Sequence, residues 1–569
     1  MLAKRRHASL RSFMFVGLCV ILGVGYFRPF STGISPDTIQ AYRPSAESSE
    51  SELPATTTGS APSKEHPILA ISNAAARKHK EKIARQSTTY EQASAEYSRR
   101  YGRPPPPKFE HWFAYAIAVS SPIIDDFDVL DDAISPLLQY SGAEIQNTMN
   151  RPHARAEIAP CEIKNSQLQE GCEVLGDVIL RLFADARVMD HLPDVELLIN
   201  MLDEPRILLN RNSSFSARMR HQQRDPESEP DEVEWMDLGQ GNVWQELVVD
   251  QCRKPQSSLE SHSELVSLAS EHKVFGFVQD NFKSLSLCDH KEWKHAHGLW
   301  ESATSLQAAY VPLPVLSPAV ISTMNDIPFP ARAYTHSDYA SDPEESVEYE
   351  EKTHALYWAG KTTGGFQNVT EDDWLPLHRQ RFVSLANDMD AEAQTILRRK
   401  GKSGPWEPIK QKLKKTMFNV HFTDVVQCSS QACAHQQEYF NVIAPEPRKT
   451  ALEYTLVFDA DGNGHSARYY RFVESNSLPL KQTVFREWHD DRLQPWLHYI
   501  PISLEMTELA EVVRYFVEER EGRALAKELA LSGAEWAQKS MRPVDQVVYI
   551  YRLLLELARL QDPKRPALP

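Results

Sequence analysis

An α/β protein with two layered domains is the architecture the sequence predicts, and three observations point to it. The chain runs to 569 residues, more than a single hydrophobic core organises. Short apolar stretches of strand length alternate along it with longer segments of helical character. One such stretch, Tyr454–Phe458, leads into a glycine-rich turn, Asp461-Gly462-Asn463-Gly464, and then into His465–Val473, which suit a helix. The two glycines admit close approach of backbone N–H groups to a ligand, and a helix start offers free donors to an anion. Arg468 adds a forked cation suited to phosphate. Ser477–Leu480 then returns as the next strand, completing a half-domain of the kind that holds a nucleotide at its strands' carboxyl ends. Ordinary α/β architecture is the plainer reading of the same turn.

Bulk properties narrow the classes. Hydrophobic content of 41% and charged content of 25% are those of a globular protein. A net charge of −16 leaves no basic face for nucleic acid. The lysine-rich run from Lys410 to Thr416 reads as a solvated helix face.

At the N-terminus, Lys4, Arg5, Arg6 and Arg11 precede the apolar run Ser12–Phe27, which Arg28 ends. The positive excess lies ahead of the run, predicting a body on the far side of the membrane. The run is short against the about 17–25 residues of a spanning helix, so a cleaved signal peptide is the alternative. No small-residue cleavage site follows it, which favours an uncleaved signal anchor. The chain is therefore divided into a cytosolic tail (1–11), a transmembrane anchor (12–27) and a stem or linker (28–90), with a short anchor suited to the Golgi membrane. Residues 31–67, rich in Ser, Thr, Pro and Glu, cannot bury a core.

Farther on, Ala74–Arg100 reads as helical, and Val195–Ile199, Val274–Val278, Ala355–Trp358 and Thr455–Phe458 read as buried strands. Thr507–Lys539 predicts amphipathic helices broken at Gly533, and Asp545 caps a strongly apolar last helix that Pro563 ends. Apart from Cys19 in the apolar run, six cysteines remain, an even number fitting an oxidising compartment. Among the possible pairings, chain order favours Cys161–Cys172, Cys252–Cys288 and Cys428–Cys433. Asn212 and Asn368 head glycosylation sequons.

The blocks ADGNGHSARYYR (460–471), SNSLPLKQ (475–482) and EWHDDRLQPWLHYIP (487–501) resemble the C-terminal half of glycosyltransferase family 90. That family includes fungal capsule-associated β-1,2-xylosyltransferases and animal protein O-glucosyltransferases. YSRRYGRPPPPKFEHWFAYA (97–116), LPDVELLINMLDEPRIL (192–208) and YWAGKTTGG (357–365) follow the family's order, and the first, with EWHDDRL, resembles the fungal branch. The resemblance implies a GT-B fold, two Rossmann-like domains facing a cleft. Residues 91–332 would form the acceptor domain and 333–540 the nucleotide-sugar domain, with 541–569 packing back as a helix on the first. It implies inverting transfer from a UDP-sugar, xylose foremost, to a mannose-containing glycan or polysaccharide. Protein O-glucosyl or O-xylosyl transfer is the alternative, and an inactive lumenal glycan-binding scaffold the second. UDP-sugar, a glycan or glycoprotein acceptor and the membrane are the expected partners. No cofactor or metal is required, and stimulation by manganese stays open.

The candidate base is Asp203, just past a strand end, where a carboxylate faces the crevice of an α/β sheet; its other reading is a turn cap before Pro205. Glu204 is its nearest rival. Gly360, Lys361, Thr362, Thr363 and Gly364, with Gly464, Ser466 and Arg468, would cradle the donor's phosphates. The animal branch carries arginine where Thr362 stands. Glu487 is a candidate donor contact, and Trp488, Arg206, Asn325 and Asp326 are candidate substrate contacts; core packing is the alternative for Trp488 and a satisfied core for His498. Asp459-Ala460-Asp461 imitates both an EF-hand start and the Asp-x-Asp metal motif. The EF-hand fails because its last ligand position is Tyr470.

Overall fold

A computed structural model describes residues 64–151, 157–209, 232–239, 243–252, 275–279, 284–336, 345, 347–367 and 374–568. The expected tail, anchor, most of the stem and both sequon asparagines lie outside them. Among the described residues, no helix is long and apolar enough to cross a membrane.

Two five-stranded sheets organise the chain. The first runs in the order Gln167–Leu168, Ile158–Lys164, Val195–Asn200, Val315–Ser317, Ile327–Pro328. Its last three strands are parallel, but Ile158–Lys164 lies antiparallel to Val195–Asn200. This sheet is therefore mixed. Asn165 and Ser166, both at positive φ, turn the chain straight back, and alternating burial along Ile158–Lys164 is what a half-solvated antiparallel edge tolerates. The second sheet is parallel throughout, in the order Phe418–Asp424, Thr353–Lys361, Tyr454–Ala460, Leu478–Gln482, Ile500–Pro501. A short antiparallel pairing of Phe485–Arg486 with Val320–Ile321 stitches the chain beyond the second sheet to the chain beyond the first.

Three expected strands form where the apolar stretches placed them. Val274–Val278 does not: its described part, 275–278, is extended without a sheet partner. Phe275 packs with Leu397 and Trp406, and the Trp496 indole donates to the Val278 carbonyl at 2.6 Å, so side chains satisfy what a sheet would. The lysine-rich run is not helical either. It falls on the exposed strand Trp406–Gln411 and a short turn, Lys415–Met417.

Helices close the fold at both ends. Ala74–Arg100 resolves into two, Pro67–Ala84 and Tyr90–Tyr101. The first buries Ile68 and Ala75 in the core of the second sheet, and His66 meets Glu511 at 2.8 Å. The second buries Tyr97 in the core of the first. From His66 onward, then, the segment expected to be stem is part of the body. Near the other end, Leu509–Glu518 and Arg520–Ser540 part at Glu519, not at Gly533. Gly533 stays within the helix because the His498 carbonyl presses on it; a β-carbon there would lie 2.8 Å from that oxygen. The last helix is Pro543–Gln561, capped at Arg542, so Asp545 stands in its first turn and pairs with Arg542 at 2.7 Å. It packs on Phe109–Ala118, Gly142–Met149, Asp177–Phe183 and the Val195–Asn200 strand. The three disulfides join Cys161 to Cys172, Cys252 to Cys288 and Cys428 to Cys433.

Leu554, fully buried in that last helix, carries a direct test. Leu554→Ala is expected to destabilise the protein by about 2–5 kcal/mol in urea unfolding, through lost burial and a residual cavity.

Candidate functional site

In a parallel sheet, ligands bind beyond the strand ends at the point where strand order reverses. In the second sheet that point falls between Thr353–Lys361 and Tyr454–Ala460, the strands whose chain neighbours lie on opposite sides. The loops that follow them, 362–367 and 461–468, are the two glycine-rich loops. They touch: the Gly364 amide is shared between Asn463 Oδ1 at 3.2 Å and Gln427 Oε1 at 3.1 Å. The expected helix at His465 begins only at Tyr469 and lasts five residues, with Arg468 as its cap. The glycine turn therefore presents loop amides and not a helix N-terminus.

Asp203 comes to these loops from the first sheet. It stands exposed beyond Val195–Asn200, and its backbone carbonyl abuts Gly464 so closely that a β-carbon on Gly464 would collide with it. The loop holding Asp203 is tied from within. Asn200 accepts from the Leu202 amide at 3.1 Å, donates to the Glu204 carbonyl at 2.7 Å, and is itself held by Arg206 Nε at 3.1 Å. Glu204 points the other way, buried and bonded to the Ser305 amide and hydroxyl.

The remaining candidates divide. Arg468 donates to the Ala359 carbonyl at 2.8 Å and lies over the Trp358 ring. Thr363 lies in the loop with its hydroxyl bonded to Arg379 at 2.6 Å. Gly360 and Lys361 end the first strand, and Lys361 reaches outward to Asp424 at 2.9 Å. Thr362 is buried, its hydroxyl bridging the Val426 amide and carbonyl at 2.8 Å each. Ser466 is buried, bonding Asp459 through its side chain and accepting from Tyr334 through its carbonyl. Asp326 accepts from the Arg206 and Ile207 amides and the Ser317 hydroxyl, and burial pushes it up to about 6. It supports the Asp203 loop from behind, as does Arg206; Asn325 donates its amide to the Ile207 carbonyl at 2.8 Å. Glu487 and Trp488 are both 1% exposed. Trp488 packs edge-on against Tyr549 and under Arg492, and Glu487 is bonded by Lys481 at 2.8 Å and by the Tyr334 hydroxyl. His498 is a satisfied core histidine stacked on Trp536.

The sequence holds a second Asp-x-Asp triplet, Asp126-Phe127-Asp128, besides Asp459-Ala460-Asp461, and the carboxylates of both are engaged or buried. Asp126 and Asp128 hold Arg100, and Asp459 and Asp461 are buried, the latter pushed by burial up to about 7.

Several residues at the loops escaped the sequence reading. His378 Nε2 lies 2.9 Å from the Asp461 carbonyl and stacks at 3.8 Å on His297, which precedes the strands of the second sheet. Burial drives both imidazoles far below their usual range, so both are neutral. His465 has both ring nitrogens buried without a hydrogen-bond partner. Their one signal in sequence was polar residues inside apolar surroundings, as in Leu377-His378-Arg379.

Residues 408–567 match the family model of glycosyl transferase family 90. That range takes in the 461–468 loop and leaves Asp203 and the 362–367 loop outside. The chain is similar to protein O-glucosyltransferase 3 of Homo sapiens, 31% identical over 114 residues, 20% of this chain and 22% of that protein. It is similar to an O-glucosyltransferase rumi homolog of Anopheles gambiae, 23% identical over 279 residues, 48% of this chain and 60% of the other. An O-glucosyltransferase rumi homolog of Aedes aegypti is 31% identical over 113 residues, 19% of this chain and 27% of that protein. The chain thus spans about a fifth to three fifths of these relatives' length.

Two outcomes follow from this geometry. Gly464→Ala is expected to push the Asp203 loop away, read as faster amide exchange at 201–204 with little change in the cores. Glu487 is raised by burial, but Lys481 first and then His489 and His465 outweigh it, holding it near 2 against an ordinary 4.5. Its folded value is the lower one, so its stabilisation is whole above about 4.5 and is lost as pH falls through about 2. Glu487→Gln should cost about 3 kcal/mol near neutrality, because Lys481 loses its hydrogen-bonded carboxylate in the core and keeps only Asp459 at 3.9 Å. In urea unfolding, the difference from the unsubstituted protein should shrink across that acid window.

Proposed function

We propose that this protein is an inverting glycosyltransferase that uses a UDP-sugar, built on the GT-B plan with Asp203 as base. The observation that carries the reading is the contact of the Asp203 backbone with Gly464. It sets an exposed carboxylate from one sheet against the glycine loops at the switch point of the other. In this reading Asp203 takes the proton from the acceptor hydroxyl as that oxygen attacks the anomeric carbon. The bond to the diphosphate breaks on the opposite face, and Arg468 with the loop amides stabilises the charge that develops there. Tyr357, Ala359, Thr423, Glu446, Arg468 and Phe472 line a cavity of about 220 Å³ beside the loops, which would receive the nucleoside.

The relatives' names favour glucose as the sugar and a protein hydroxyl as the acceptor. The YGRPPP and EWHDDRL wording favours xylose and a mannose-containing glycan. The disulfides fit an oxidising lumen, and the apolar run 12–27 would anchor the body to the Golgi membrane with its bulk inside.

Purified protein is to be offered UDP-glucose, UDP-xylose and UDP-galactose with a mannobiose or a folded protein acceptor, with and without EDTA. Transfer should appear with one donor, persist in EDTA, and fall by about 10²–10⁴-fold in kcat in Asp203→Asn. UDP affinity in that variant should hold within about threefold, since a base does not bind the donor's diphosphate. Absence of both transfer and UDP binding would leave a non-catalytic scaffold.

A further inference from the structure

Arg379 lies in the first turn of the helix His378–Asn387, and its side chain is buried beneath both glycine loops. Its Nε donates to the Asp461 carbonyl at 2.6 Å and its Nη2 to the Ala460 carbonyl at 3.1 Å. Its Nη1 donates to the Lys361 carbonyl at 2.9 Å and to the Thr363 hydroxyl at 2.6 Å. One rigid fork thus grips the ends of the two strands on either side of the switch point. In a trans peptide the carbonyl and the following N–H point to opposite sides. Fixing the Lys361 and Ala460 carbonyls therefore fixes which way the Thr362 and Asp461 amides face. His378 bonds the same Asp461 carbonyl, and its ring presses on Gly364, where a β-carbon would lie 2.6 Å from it.

The charge of this fork is as telling as its geometry. All four of its partners are neutral, three carbonyls and a hydroxyl. Arg468 is a second guanidinium on the same indole, each lying 5.7 Å from the Trp358 ring. Among the described residues, neither forms an ion pair with a carboxylate. Burial, and then the charge of Arg468, bring Arg379 down to about 9 against the opposing pull of Asp461 and Asp459, which still leaves it protonated at neutral pH. Arg379 is buried and Arg468 half-buried, two like charges that are costly to hold together in a fold, and a nearby anion offsets that cost.

We infer that Arg379 is a positioning residue that locks the two glycine loops in register and, with Arg468, sets the positive potential that selects a diphosphate. The inference rests on the donor reading above and adds a residue and a discrimination to it. A lysine keeps the charge and loses the fork; a methionine loses both.

The full-length protein and its Arg379→Lys and Arg379→Met variants are to be titrated with UDP and with uridine, which shares the nucleoside and lacks the phosphates. Arg379→Met should weaken UDP by at least about tenfold while uridine holds within about threefold, so the preference for UDP collapses. Arg379→Lys should keep part of that preference, with kcat falling more than the donor KM rises. Parallel loss of UDP and uridine, or an unchanged UDP preference, would overturn the inference. If Arg379→Met does not fold, as read by its thermal midpoint, the UDP-to-uridine ratio in Arg379→Lys decides: a ratio equal to that of the unsubstituted protein overturns it. An unsubstituted protein that binds uridine no more weakly than UDP would sink the donor reading itself. Unchanged preference in the variants of a UDP-selective protein sinks only this step.

Discussion

Backbone meets backbone where the loops of the two sheets join. Gly464 lies against the Asp203 carbonyl, and Gly298 lies against Gly364 and Gly365, where a β-carbon on Gly365 would sit 2.8 Å from the Gly298 backbone. A side chain at any of these positions would hold the loops apart by the width of a methyl group. The hydrogen bonds that cross the same seam depend on this approach. Thr304 lies 3.4 Å from Asn463, and the Phe366 amide donates to the Ser302 carbonyl at 2.7 Å. Small residues at the seam thus let a carboxylate borne by one sheet stand beside loops borne by the other.

Beneath the loops the buried charge is sorted along the Tyr454–Ala460 strand. Arg379 and Arg468 gather on the side of Thr353–Lys361. Lys481 and Glu487 pair on the side of Leu478–Gln482, with Lys481 also 3.9 Å from Asp459 and over the Tyr469 ring at 3.6 Å. The second group is balanced internally: a cation and a carboxylate at 2.8 Å, with Tyr334 on the remaining oxygen. A pair so satisfied fixes shape and has little left to offer a ligand. The first group has donors bonded only to carbonyls and a hydroxyl, and the buried Asp459 and Asp461 oppose its charge without pairing with it. The physical division separates a network paired within itself from one whose two cations have no ion-pair partner among the described residues.

Much of the second sheet was legible because parallel strands buried on both faces read as plain apolar runs, and each glycine turn follows one of them. The place of Asp203 just past a strand end was legible for the same reason. Three kinds of residue were not. Glu487, Trp488, Asp326 and Arg206 are polar or amphipathic residues in distinctive blocks, and nothing in their spacing tells a ligand contact from a buried brace. Arg379 and His378 are a single helical turn whose importance comes from carbonyls 82 and 83 positions away. The helix break read at Gly533 failed because that glycine answers a tertiary contact with His498 and not a local need of the chain. The helical reading of Lys410–Thr416 failed likewise: an exposed hairpin strand is as rich in charge as a solvated helix face.

The adjacent carboxylates of Asp203 and Glu204 show how the fold separates two groups that sequence leaves equivalent. Both follow the same strand, and both precede Pro205. Glu204 is 1% exposed, with burial raising it and the Ser305 amide and hydroxyl opposing that rise. Its oxygens are occupied, and it holds the 303–306 turn to the loop. Asp203, one residue earlier, is left in solvent on the side where Gly464 arrives. A proton acceptor must have a free lone pair, and of the two carboxylates it is Asp203 that is left exposed to solvent. The alternation is set by Asn200, whose side chain bonds the Leu202 amide on one side and the Glu204 carbonyl on the other. Arg206 and Asp326 then hold Asn200 and the following strand in place, so the direction of one carboxylate is decided by a buried polar cluster that never touches it.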